Sequence, residues 1–293
     1  MLTPFRHAGF VELWHPGVML LALILAALYQ GLVGPWAARL APGEPPTGWG
    51  RRLRVFGALA LLYLAVGSPL DLLSDRYLMS AHMLEHVILA FWLPPLVITG
   101  LPRWAWERVA ASRPWGAVLR RLTRPLTALV LFNLVFSVIH VPVLYDLALE
   151  HATVHLGEHA LLVLAGCVFW WPVLHVLPAE PDLGDVGRML YLFVSEILQT
   201  VVFALITFAP QPLYAWYVHA PRIWGISALE DQQAAGVIMR LGAMATQGVV
   251  LWITFFRWAG RAGSEFARGL GPRLMEGPAS LGAAQARHSE AGA

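Results

Sequence analysis

The sequence predicts an all-α, polytopic membrane helix bundle with seven transmembrane helices, and three observations carry that expectation. The composition is 58% hydrophobic and only 13% charged over 293 residues, where soluble domains carry roughly 25% charged residues. Runs of about 20 apolar residues, the length that crosses a hydrocarbon core, recur near 17–37, 52–70, 79–100, 125–146, 153–177, 188–210 and 231–258. The basic residues, all of them arginines, sort to one side of those runs.

Arg39, Arg51, Arg52 and Arg54 lie around the first connection, and Arg103, Arg108, Arg113, Arg120, Arg121 and Arg124 fill the third. Arg188 adjoins the fifth, and Arg257, Arg261, Arg268, Arg273 and Arg287 end or follow the last run. Only Arg6, Arg76 and Arg222 fall on the other side, with Arg240 inside a span. Basic loops stay in the cytoplasm, so the N-terminus is expected outside and the C-terminus inside. These arginines then face cytosol and anionic lipid, and the formal charge of +2 implies no nucleic-acid partner.

The first run, Gly17 to Trp36, is longer than the apolar part of a signal peptide and no small-residue cleavage site follows, so it reads as a true span. The third opens with His82 and His86 and later meets Pro94 and Pro95, which should break it. The fourth ends at His140, with Pro142 two residues on, and the fifth opens with His151, His155, Glu158 and His159. Glu196 in the sixth span and Arg240 in the seventh lie about 12 Å from the inner and about 14 Å from the outer face by helical rise, which predicts a midplane ion pair. Asn133, Ser137, Gln199, Thr200, Thr246 and Gln247 are expected to hydrogen-bond between helices. Residues 1–259 thus form one transmembrane domain, and 260–293, rich in Gly, Ala, Pro and Arg, is expected to be a disordered cytoplasmic tail.

Histidines four residues apart share one helix face, with about 6 Å between them along the axis. Imidazoles gathered in hydrocarbon are costly unless something binds them. With the orientation above, His82, His86, His140, His155 and His159 all fall at the outer end of the bundle, as His151 does in the turn before the fifth span. These six, with the thioethers of Met79 and Met83 beside His82, are the candidate metal ligands. Imidazole with possible thioether and no thiolate suits copper, Cu(I) foremost; imidazole with carboxylate also suits zinc, and two histidines from facing helices suit haem.

Glu85 and Glu158 each stand one residue before the second histidine of a pair, where they can orient ring N–H groups or face water as outer-leaflet carboxylates. Asp71, Asp75, Asp146, Glu150 and Asp231 ring the outer mouth, where they attract cations or cap helices; Asp231 stands where an N-cap of the seventh helix would. Cys167 is alone, which excludes a disulfide framework and a Cys-x-x-Cys motif.

Three stretches carry a resemblance: SPLDLLSDRYLMSAHMLEHVILAFWLPPLVITGLP (68–102), HVPVLYDLALEHATVHLGEHALLVLAGCVFWWP (140–172) and ALEDQQAAGVIM (228–239). A His-Met-x-x-His followed by Pro-Pro, a His-x-Pro, a second histidine pair and Asp-Gln-Gln together resemble the membrane-embedded CtaG family of cytochrome c oxidase assembly factors, described from bacteria with caa-type oxidases. The chain departs from that pattern at Glu85, where Gln is common, and at Arg240, where an aromatic is. The resemblance implies a non-catalytic protein of the bacterial plasma (inner) membrane, with cytochrome c oxidase subunits as partners and copper supply to the oxidase as its task. The copper centres of such oxidases lie in the outer half of the membrane or beyond it, on the side where the arginine bias puts the histidines. A haem-binding membrane cytochrome for electron transfer and a copper transporter are the rival readings.

Overall fold

The computed structural model describes residues 8–275, and every regular element among them is helical. In chain order these are α1 (Phe10–Trp14), α2 (Pro16–Val33), α3 (Ala37–Leu40), α4 (Trp49–Val66), α5 (Pro69–Arg76), α6 (Met79–Val87), a π-helical turn (Ile88–Trp92), α7 (Leu93–Gly100), α8 (Arg103–Ala111) and α9 (Arg113–Leu122). There follow α10 (Pro125–Ile139), α11 (Pro142–Glu150), α12 (Ala152–Leu174), α13 (Gly184–Phe208), α14 (Ala215–His219) and α15 (Ala228–Met275).

Among the described residues five helices are long and apolar enough to cross a membrane, or up to seven if each of two bent pairs is one span. The bent pairs are α4 with α5, at 41°, and α9 with α10, at 77°. Pro69 and Pro125 stand at the first turn of α5 and α10, where a missing N–H costs nothing but cannot continue the preceding helix. The expected second span is therefore broken near its end, while the fourth opens at Pro125 as expected and stops at Ile139 because Pro142 opens the separate helix α11. At the other end α15 runs to Met275, so the expected boundary at 259 falls within a helix. Residues 260–275 extend a helix that is already nucleated, which costs far less than starting one. The expected disorder of residues 276–293 lies outside the described residues.

The segment α6–π turn–α7 is the hub, with 67% of its apolar window buried against 11% for the N-terminal span. It packs on α4, α5, α12 and α15. Small residues let these backbones close up. A Cβ on Gly166 of α12 would lie 2.5 Å from the Ala90 carbonyl and 2.8 Å from Pro94 Cγ, and one on Gly242 of α15 would lie 2.5 Å from Val87 Cγ1. Pro94 and Pro95 do not break this span as expected. The lost N–H groups are absorbed by the wide turn before them, in which Leu93 donates its N–H to Ile88 O, and the helix stays continuous.

Asn133, Ser195, Gln199 and Gln247 form a buried polar ladder joining α10, α13 and α15, with contacts of 3.4, 2.6 and 3.2 Å. Thr200 and Thr246 instead donate to carbonyls of their own helices. Arg240 pairs with Glu196 between α13 and α15, as expected. Leu20, Leu23, Val201, Leu205 and Val249 face outward, the surface that a bilayer covers.

Candidate metal centre

The site begins with the N-terminus of α6, whose free N–H groups need acceptors. Asp231 of α15 supplies them, taking the N–H of Met79 at 2.6 Å and of Ser80 at 3.2 Å. It is therefore not the N-cap of its own helix. That role falls to Ser227, whose Oγ accepts the Glu230 N–H at 3.2 Å while Glu230 Oε2 accepts the Ser227 N–H at 2.8 Å, a reciprocal capping box. Gln232 then accepts from Leu213 N–H and donates to Ile206 O. The Asp-Gln pair thus fastens α15 to α6 and to the end of α13.

With α6 held, His82 and His86 are fully buried, their Nε2 atoms 2.9 Å apart. Across from them α12 brings His155, 5.1 Å from His82 between ring centroids, and His159, 5.6 Å from both His82 and His86. His140, which ends α10, lies 5.4 Å from His86. Five imidazoles from three helices meet at one place.

Hydrogen bonds fix which nitrogen carries the proton in two of them. His140 Nδ1 faces the Phe136 carbonyl at 2.6 Å and must donate to it, which leaves Nε2 as a lone pair. Tyr217 of α14 donates its hydroxyl proton to Ser74 O at 2.8 Å, so its oxygen accepts from His82 Nδ1 at 3.2 Å, and His82 Nε2 is left as an acceptor facing His86 Nε2. These tautomers are assigned from the partners. The Nε2 atoms of His140, His155 and His159 are buried without a hydrogen-bond partner. Buried polar atoms in that state call for a ligand. His82, His155 and His159, and separately His82, His86 and Glu158, offer ligand atoms within 4.8 Å of one another, a spacing at which one ion can draw three ligands in.

Below the rings lies an apolar floor. Phe136 lies tilted 4.7 Å from His140, Phe132 stacks 4.6 Å from Phe169, and Phe91 meets Phe132 at 5.6 Å, all four phenyl groups being buried.

A family model for the cytochrome c oxidase caa3 assembly factor (Caa3_CtaG) matches residues 27–261, which include every helix that supplies a histidine to the cluster. The chain belongs to this family. Among curated relatives, "Uncharacterized protein Mb0105" of Mycobacterium bovis and "Uncharacterized protein MT0111" of Mycobacterium tuberculosis are each 27% identical over 196 residues, covering 57% of this chain and 29% of theirs. The chain thus spans less than a third of the length of those relatives. No solved structure matches it.

In this Caa3_CtaG chain the remaining expected ligands differ from the five histidines in setting. His151 is exposed at the junction of α11 and α12, where α11 ends at Glu150 and α12 begins at Ala152. Met79 and Met83 are fully buried in the apolar core, where a thioether packs as a hydrophobe. Glu158 Oε1 lies 3.7 Å from His86 Nε2, and Glu85 Oε2 accepts from Ser74 Oγ at 2.5 Å. Asp146 caps α14 through Ala215 and Trp216 N–H, which positions Tyr217. His15, His175 and His219 find local backbone partners. Tyr217 and Ser74 escape sequence reasoning, since neither lies at helical spacing from a histidine.

Proposed function

We propose that the chain supports cytochrome c oxidase assembly by holding a copper ion in the histidine cluster and releasing it to an oxidase subunit. Convergence of five imidazoles, three of them with unpartnered buried Nε2 atoms, is the observation that carries this reading. Neutral imidazoles without a thiolate favour copper, and nearby Glu158 also admits zinc. Release proceeds by exchange of one nitrogen ligand for another, with no covalent step and no change of oxidation state. The arginine distribution supports an extracytoplasmic cluster in a seven-span protein of the bacterial plasma membrane.

Direct ring contact, with His155 and His159 centroids 4.2 Å apart, favours a single ion over a macrocycle. The phenylalanine floor weighs against a path for copper through the bilayer.

Metal analysis of detergent-purified protein tests the reading. Wild type is expected to carry stoichiometric copper and no strong Soret band, and His82→Ala/His86→Ala to carry background copper. Equal copper, zinc and haem contents in the two proteins would count decisively against the site.

A further inference from the structure

We infer that α5 supplies a second cation station, formed by Asp75, His82 and Glu85, through which the ion reaches and leaves the histidine cluster. This inference rests on the proposed metal role of that cluster. The three residues offer ligand atoms within 4.8 Å of one another. His82 is common to this set and to both inner sets, so neighbouring stations differ by an exchange of the other ligands.

The ligands are graded from surface to core. The Asp75 side chain is 37% exposed and that of His155 13%, with Asp75 Oδ1 3.8 Å from His155 Nδ1, whereas His82 and Glu85 are fully buried. Asp75 is therefore the first ligand that an ion from outside meets.

Glu85 points to a ligand independently of that gradient. One of its oxygens takes the Ser74 hydroxyl, but Oε1 is buried with no hydrogen-bond partner. An acceptor left open in the interior is costly unless a donor or a cation fills it. Carboxylates also offset the loss of hydration that a cation suffers before neutral imidazoles take it over. Asp71, one turn earlier on α5, is engaged instead by His15 Nε2 at 3.3 Å and lies outside the set.

Rates of copper removal test the station. Full-length protein in detergent is loaded with one equivalent of Cu(I) and then exposed to a water-soluble Cu(I) chelator, comparing wild type, Asp75→Asn/Glu85→Gln and Asp71→Asn. Gln keeps an acceptor for Ser74, and Asp75→Asn alone, at a half-exposed site, serves as a milder variant whose folding is not in question. Copper content is expected to stay equal in all proteins, with extraction slowed about tenfold in the double variant, less in Asp75→Asn, and unchanged in Asp71→Asn; tenfold corresponds to about 1.4 kcal/mol of barrier.

Extraction at the wild-type rate in the double variant overturns the station while leaving the histidine centre intact. Equal slowing by Asp71→Asn overturns ligation in favour of general attraction by negative charge. Loss of copper from the double variant makes the carboxylates ligands of the resting site and overturns their transit role. Copper-free wild type overturns the histidine centre and the station together.

Discussion

His82/His86 and His155/His159 have the same spacing and meet at the same point, yet their helices live in different surroundings. The span carrying the first pair is 67% buried, while α12, which carries the second, is 33% buried and turns Leu156, Leu161 and Leu164 outward. The first pair is collared on every side: Asp231 caps its helix, Tyr217 holds His82, and Gly242 lets α15 close against Val87. The second is tied where Gly166 meets Ala90 and Pro94, farther along the helix, and where α12 packs on α10 and α11. Spacing alone puts two rings on one face; neighbours decide whether those rings are fixed or able to yield. The α6 pair is the more enclosed half of the centre and the α12 pair the less enclosed.

The largest expected difference comes from deleting each pair. His82 belongs to every three-residue ligand set, so His82→Ala/His86→Ala should reduce copper to background, whereas His155→Ala/His159→Ala keeps His82, His86, His140 and Glu158 and should retain measurable copper of weaker affinity. Equal losses, read by metal analysis, would break the distinction between the pairs.

Next comes the tie of α12 to the hub. Gly166→Ala drives a Cβ into the Ala90 carbonyl and should cost about 1–3 kcal/mol, as overpacking does, with weakened copper binding. Gly157→Ala on the same helix, where an added Cβ meets nothing within 4 Å, should be neutral or slightly stabilising. Thermal unfolding in detergent compares the two.

Tyr217→Phe removes the acceptor that fixes the His82 tautomer and should weaken copper binding by about tenfold without lowering the melting temperature much, as competition with a chelator would reveal. Smallest is Asp231→Asn. Exchanging a charged cap for a neutral one should cost about 1 kcal/mol or less, visible as a small shift in unfolding, and a greater fall in copper affinity than Tyr217→Phe would show that the cap aims the rings as well as holding the helix.

The helical bundle and the five histidines could be read from the sequence because both depend on local patterns: apolar runs of spanning length, and imidazoles four residues apart. The bend at Pro69 was hidden, since hydropathy accumulates across a turn as readily as along a helix, whereas Pro125 starts the fourth run in sequence and structure alike. For Met79 and Met83 the sequence carries no distinguishing signal, because a ligand thioether and a packing thioether follow the same periodicity. The supports of the site were least legible. Tyr217 meets His82 across 135 residues and Asp231 meets Met79 across 152, and a side chain in a five-residue loop helix carries no periodic signal at all. Asp231 announces a helix start correctly, but the helix that it caps belongs to a distant stretch of chain.

The wide turn at Ile88–Trp92 sets the phase between the two ends of the central span. A π turn holds one residue more than an α turn, and each residue of an α-helix advances the clock face by about 100°. Removing one residue there would restore a regular ladder and leave every apolar run intact, yet it would swing His82 and His86 about a quarter-turn or more away from their partners while Pro94 stayed seated against Gly166. The extra residue is thus a timing element, and in this stretch the length of the chain is constrained as tightly as its chemistry.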